Sequence, residues 1–198
     1  PLWFSAFGPR SQGLVAELAA GWINFSSGPA AAKSLAAMQQ IWRDAGHPDQ
    51  ALVSNLFITG AVLSGDKATD AERLMAQGGP STAVIFHNFA DELDGMGATK
   101  PEGPLGELLE AYLEQHAGYQ PADARYLKNH RGHLMFVRPE ESHITPDLVR
   151  ATTVSGTHDE LVQQLRALRD AGYDQVNVQL MHGHESAIED WAKVFQAV

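Results

Sequence analysis

Two turns in this sequence carry residues suited to holding an anion. Gly8-Pro9-Arg10-Ser11 directly follows the apolar run Leu2 to Phe7 and leads into a helical pattern. At such a junction free backbone N–H groups and the positive end of the helix dipole favour negative charge, and a planar guanidinium grips phosphate. Ser26-Ser27-Gly28-Pro29 repeats the arrangement after the next apolar run. If the two strands are parallel neighbours, both turns open on one face, where hydroxyls and amides converge on a single phosphate. Gly8, Pro9, Arg10, Ser11, Ser26, Ser27 and Gly28 are therefore the candidate phosphate-binding residues.

Histidine supplies the other chemistry. His182-Gly183-His184-Glu185 lies just past the last strand-like run, and His130-Arg131-Gly132-His133 offers a second pair. Their spacing admits metal ligation, so a metal-dependent hydrolase is an alternative reading. Neither pair has an evident Asp or Cys partner, so lining of a pocket is preferred and no metal is expected. His182 and His184 are candidate pocket-lining residues. His87, His116 and His158 fall at helical positions and are expected to be solvated. Lys128, Arg131 and Arg138 are expected to pair with Glu140 and Glu141.

The elements that must position these residues follow one repeated order: amphipathic helix, glycine, short apolar strand. Leu14, Leu18 and Ala19 mark the inward face of the first helix, and Gly21 is expected to take the left-handed position at its end. Leu35, Met38, Ile41, Trp42 and Ala45 mark the second, closed by Gly46. In the third, Thr157 and Glu160 form a capping box, Leu161, Leu165 and Leu168 face inward, and Gly172 precedes Val176 to Leu180. Ile188, Trp191, Ala192 and Phe195 stripe a last helix. Strands are expected at Leu2–Phe7, Trp22–Phe25, Leu52–Ile58 and Val176–Leu180. Strands alternating with helices indicate parallel βα units in a doubly wound sheet or a barrel. Between residues 66 and 150 the order gives way to helical pieces, one capped at Thr69-Asp70-Ala71-Glu72, and this segment reads as an insertion.

The chain has 198 residues, 44% of them hydrophobic, enough for one domain (1–198) with a sizeable core. Its formal charge of −10 disfavours nucleic acid and anionic membranes as partners. It has no cysteine, hence no disulfide or thiolate chemistry, and a cytoplasmic location is the expectation.

"PLWFSAFGPRSQGLVAELAAGWINFSSGP" resembles a segment of the bacterial-luciferase-like flavin and deazaflavin oxidoreductases, in which a strand ends in a Gly-Pro-basic turn. "HRGHLMFVRPEESHITPDLVRATTVSGTHDELVQQLRALRDAGYDQVNVQ" is similar to a later region of the same family. The resemblance implies a (β/α)8 TIM barrel, of which four strands would be only the second half, strands five to eight, with the helical insertion between them. It implies an oxidoreductase or monooxygenase binding coenzyme F-420 or FMN by its phosphate and acting on a small organic substrate. The catalytic acid or base is not assigned. A non-catalytic flavin-binding or scaffold protein is the remaining alternative. Half a barrel exposes strand edges and apolar faces, so a homodimer or a covering N-terminal segment is expected.

Overall fold

The computed structural model describes residues 2–25, 28–48, 52–95 and 102–198. Ser26 and Ser27 lie outside the described residues. In chain order the elements are β1 (Trp3–Ser5), α1 (Pro9–Glu17), β2 (Gly21–Phe25), α2 (Gly28–Asp44), β3 (Ser54–Ile58), β4 (Val62–Leu63), α3 (Lys67–Gln77), α4 (Gly79–Gly95), α5 (Pro104–Ala117), α6 (Tyr126–Asn129), α7 (Pro146–Thr152), β5 (Gly156–Thr157), α8 (His158–Ala171), β6 (Gln175–Val178) and α9 (Ala187–Gln196). They form two compact units, one of residues Pro1–Gly65, Val154–Leu180 and Ser186–Val198, the other of Asp66–Thr153 and Met181–Glu185.

The first unit is α/β. Its four-stranded sheet runs β1-β2-β3-β6, every pair parallel. The order never reverses, so there is no switch point of the doubly wound kind. Among the described residues the sheet stays open and no barrel closes. A second pair, β4 with β5, is also parallel and had no periodicity long enough to announce it.

Alternation along the strands separates two faces. Phe4, Ala6, Trp22, Leu56, Ile58, Val176 and Val178 belong to the core cluster, joined there by Val15, Leu35, Met38, Trp42, Leu161, Leu165, Trp191 and Val194 from the helices. Two buried polar groups of the strands on this face are paired: Trp22 Nε1 donates to the Ala6 carbonyl at 2.9 Å, and Asn24 Nδ2 donates to the Tyr173 hydroxyl at 2.8 Å. That hydroxyl in turn donates to the Ala31 carbonyl at 2.9 Å. The opposite face carries Phe25, Asn55, Phe57, Gln175 and Asn177, and Phe25 remains 47% exposed.

Several local expectations change. α1 buries Val15 and Ala16, while Leu14 and Leu18 face solvent. The left-handed residue after it is Ala19 (φ 46°), and Gly21 instead begins β2, where a Cβ would lie 2.5 Å from the Trp3 ring. Close packing, not backbone handedness, requires that glycine. Gly46 and Gly172 do take positive φ, 86° and 105°. α9 buries Ala187, Trp191 and Val194, leaving Ile188 and Phe195 exposed. The Thr157–Glu160 capping box is present, with Thr157 N–H donating to Glu160 Oε2 at 2.7 Å.

The second unit is helical. α4 packs with α3, α5 and α7 around Leu74, Phe86, Leu109, Tyr112 and Val149. α3 starts one turn earlier than expected, because Asp66 caps it by accepting from Thr69 N–H at 2.9 Å. Among the described residues no helix is long and apolar enough to cross a membrane.

Candidate functional site

The first candidate is the rim where β1 and β2 end. The two strands pair side by side in parallel, with Ser5 opposite Ile23, so β1 and β2 end at the same edge of the sheet. Gly8 is the N-cap of α1, Pro9 fills its first position and removes a donor that had no helical partner, and Arg10 follows, exposed. Ser11 turns back on Gly8: its hydroxyl donates to the Gly8 carbonyl at 2.9 Å and accepts from Gly8 N–H at 3.3 Å. Two of the groups counted as anion donors thus serve the turn itself. Gly8 has open space where a Cβ would stand, so backbone is accessible there. Gly28 opens α2.

Beside this rim, on the sheet face opposite the core cluster, three phenylalanines lie in a row. Phe7 and Phe25 have ring centroids 5.8 Å apart, and Phe25 and Phe57 stack at 5.1 Å. Register places Phe25, Phe57 and Asn177 across from one another on β2, β3 and β6. Below them amides link the strands: Asn177 Nδ2 donates to Asn55 Oδ1 at 2.7 Å and Asn55 Nδ2 to Gln175 Oε1 at 3.0 Å. An apolar aromatic strip flanked by fixed amides suits a planar, polar-edged ring system. The phenylalanines were legible as strand residues, but only the pairing register sets them in a row.

The histidines distribute differently from expectation. His182 is an exposed turn residue, 3.8 Å from Glu185 through Nδ1. Gly183, at φ 83°, donates its N–H to Glu185 Oε1 at 3.0 Å, and this bond holds the Glu185 carboxyl below its ordinary value. His184 N–H donates to the Met181 carbonyl at 3.1 Å. His158 is solvated, as read from the sequence, beside Asp159.

His87 and His116 are not solvated: they are 2% and 3% exposed. His87 Nε2 sits 2.5 Å from Glu141 Oε1, and Arg138 Nη2 lies 2.6 Å from the same oxygen. Arg138 therefore does pair with Glu141, but buried, at 3% and 1% exposure. The Arg138 guanidinium also donates to Tyr112 Oη at 3.0 Å and to the Lys128 carbonyl, and Tyr112 donates to Asn129 Oδ1 at 2.6 Å. Asn129 Nδ2 donates to the His87 carbonyl and to Asp91 Oδ1, both at 3.0 Å. Asp91 Oδ2 is 2.5 Å from His130 Nε2. Burial alone would raise the Glu141 carboxyl, but hydrogen bonds from His87 and Arg138 outweigh it and bring it down to about 2. Burial raises the Tyr112 phenol. The sequence signal for this network was weak: His87, Asp91, Tyr112 and His116 share helical faces with apolar residues, and that pattern alone does not tell a buried polar side chain from a solvated one.

In open α/β sheets of consecutive parallel strands functional sites gather at the C-terminal ends of the strands, while the chemistry differs from family to family. Residues 1–175 match the luciferase-like monooxygenase family, and the chain belongs to it. No curated protein sequence matches. Among solved structures, a coenzyme F-420-dependent tetrahydromethanopterin reductase from Methanopyrus kandleri shares the fold at TM-score 0.57 and 19% identity, over 100% of this chain and 50% of that one. An F-420-dependent secondary alcohol dehydrogenase, in complex with an F-420–acetone adduct, does so at 0.53 and 14%, over 100% and 48%. The oxygenating constituent of 3,6-diketocamphane monooxygenase from Pseudomonas putida, in complex with FMN, aligns at 0.43 and 17%, over 98% and 45%. The chain thus spans about half the length of the solved proteins it matches.

Proposed function

We propose that this chain forms the cofactor-phosphate half of a cytoplasmic luciferase-like oxidoreductase, corresponding to strands five to eight of the barrel. The observation that supports the reading is the parallel pairing of β1 with β2, which ends both strands at one edge of the sheet. Gly8, Pro9, Arg10, Ser11 and Gly28, together with Ser26 and Ser27, would hold the phosphate. Phe7, Phe25 and Phe57 fit the apolar face of a ring, and Asn177 fits its polar edge. F-420 is favoured over FMN because two structural neighbours with TM-scores above 0.5 are F-420 proteins. When bound, such a cofactor supplies hydride or electron transfer. The chain's own residues bind the anion, orient the ring and exclude water. His182 and His184 are proposed to meet a small organic substrate.

Phe7 and Phe25 are 61% and 47% exposed, so the aromatic face is proposed to be covered by a second copy or by an N-terminal segment.

Fluorescence titration of the purified chain with FMN, with F-420 and with riboflavin tests the reading. One molecule of FMN or F-420 should bind per chain, and Arg10→Ala should weaken both by about 10-fold or more, the loss of one charge-assisted contact. Riboflavin lacks the phosphate and should be insensitive to Arg10→Ala. No binding of either cofactor, or an equal effect on FMN and riboflavin, overturns the assignment.

A further inference from the structure

The helical unit contains a second constellation that the cofactor reading does not use. His87, His130 and His133 each present one ring nitrogen within 4.8 Å of the other two, the one such group of three among the described residues. They come from α4 and from the turn after α6, where Gly132, at φ 76°, lets the chain fold back so that His133 N–H donates to the His130 carbonyl at 3.0 Å. His133 is exposed and His130 half-buried, so the group is open to solvent on one side.

The hydrogen bonds select the tautomers. His87 Nε2 lies 2.5 Å from the Glu141 carboxylate, closer than the 3.2 Å to Arg138 Nη2, which itself bonds Glu141, and His130 Nε2 lies 2.5 Å from Asp91, so each Nε2 carries a proton and gives it to an acid. Each Nδ1 is left with a lone pair. This is the arrangement in which a carboxylate behind the ring orients a metal-binding histidine and increases its basicity. His130 Nδ1 accepts from His133 Nδ1–H at 3.1 Å, and a bound metal ion would take the place of that proton. Nitrogens held tetrahedrally at about 2.0–2.1 Å from a zinc ion stand about 3.3 Å apart, nearly the same spacing.

The independent observation is His87 Nδ1. It is buried, on a side chain 3% exposed, and has no hydrogen-bond partner. An orphaned buried nitrogen of this kind is costly unless something with an empty orbital or a proton meets it. Arg138, Tyr112 and Asn129 hold Glu141, Asp91 and the His87 backbone in place, so the two carboxylates are fixed elements.

We propose that His87, His130 and His133 form a three-nitrogen site for a divalent transition metal of the zinc class, with Glu141 and Asp91 as its positioning carboxylates and a fourth position open to water. His182 and His184 take no part. Three neutral imidazoles favour zinc, copper or nickel over calcium or magnesium, which take oxygen ligands.

The test uses the whole chain without a polyhistidine tag, stripped with chelator and titrated with Zn²⁺ against a chromophoric competitor. One Zn²⁺ should bind per chain with submicromolar affinity, and Co²⁺ in its place should show the intense visible bands of a four-coordinate ion. His133→Ala, an exposed change that leaves the buried network intact, should weaken Zn²⁺ by about 100-fold or more. Asp91→Asn should weaken it by about 10–100-fold, as loss of an orienting carboxylate does. His182→Ala/His184→Ala should leave affinity unchanged. Circular dichroism of each variant checks that it folds. Absence of Zn²⁺ binding below 100-fold molar excess, or binding that survives His133→Ala or is lost with His182 and His184, overturns the proposal and marks the cluster as a purely structural polar network.

Discussion

Tyr173 ties the helix-covered face of the sheet together, and replacing it with phenylalanine removes one oxygen and little else. That oxygen accepts from Asn24 Nδ2 at 2.8 Å and donates to the Ala31 carbonyl at 2.9 Å. The phenylalanine ring keeps its place against Trp22, whose centroid is 6.2 Å away, so apolar burial is retained. What is lost is the partner of the buried Asn24 amide, at 4% exposure, while the Ala31 carbonyl, inside α2, keeps its helical donor and loses only a second one. One unsatisfied buried group costs about 1–3 kcal/mol, so Tyr173→Phe should destabilise the α/β unit by about 1–3 kcal/mol. Urea unfolding followed by tryptophan fluorescence measures it, because Trp22 and Trp42 both lie in this unit's core. A double-mutant cycle with Asn24→Ala should recover about 1–2 kcal/mol of coupling. A pH series adds a signed check. Burial raises the Tyr173 phenol above 10.0, so the folded state keeps its proton where the unfolded chain loses it. The stabilisation is complete below the unfolded value and lost as pH rises through the folded one. The gap between wild type and Tyr173→Phe should therefore narrow above about pH 10. A stability change under 0.5 kcal/mol, or a gap that widens in alkali, would refute the account of this core.

Gly60→Ala should be among the most damaging small changes, since its Cβ would stand 1.8 Å from the Val154 carbonyl oxygen, which is backbone and cannot rotate away. A loss of about 3 kcal/mol or more, or failure to express folded protein, is expected in thermal melts. Trp42→Ala empties a site 1% exposed and strips the Pro48 carbonyl of its 3.0 Å donor, so denaturant unfolding should show about 3–5 kcal/mol lost. Phe7→Ser/Phe25→Ser should reduce self-association in sedimentation by removing the exposed aromatic strip, while leaving the far-ultraviolet circular dichroism unchanged.

Local pattern determined a good deal about this protein. The stripe Leu161, Leu165 and Leu168 with a capping box before it and Gly172 after it made α8 readable, and those residues are buried as expected. The four sheet strands were readable because each is a short apolar run closed by turn residues, and the luciferase-like family was readable because its turns and helix entries are contiguous motifs. Where several registers of one helix satisfied the same periodicity, as at Leu14 against Val15 and Ile188 against Ala187, the pattern did not choose, and packing did.

Tertiary structure decided the rest. Phe25 and Phe57 are separated by a helix in the sequence and meet because parallel register brings them opposite one another. His87 looked like a surface residue because nothing within several positions pairs with it; its partners, Glu141 and Arg138, arrive from more than fifty residues along the chain. Helix, strand and cap are set by interactions between near neighbours, so a sequence carries them in its spacing. A buried carboxylate behind a histidine is set by which distant segments pack together, and no local spacing encodes that.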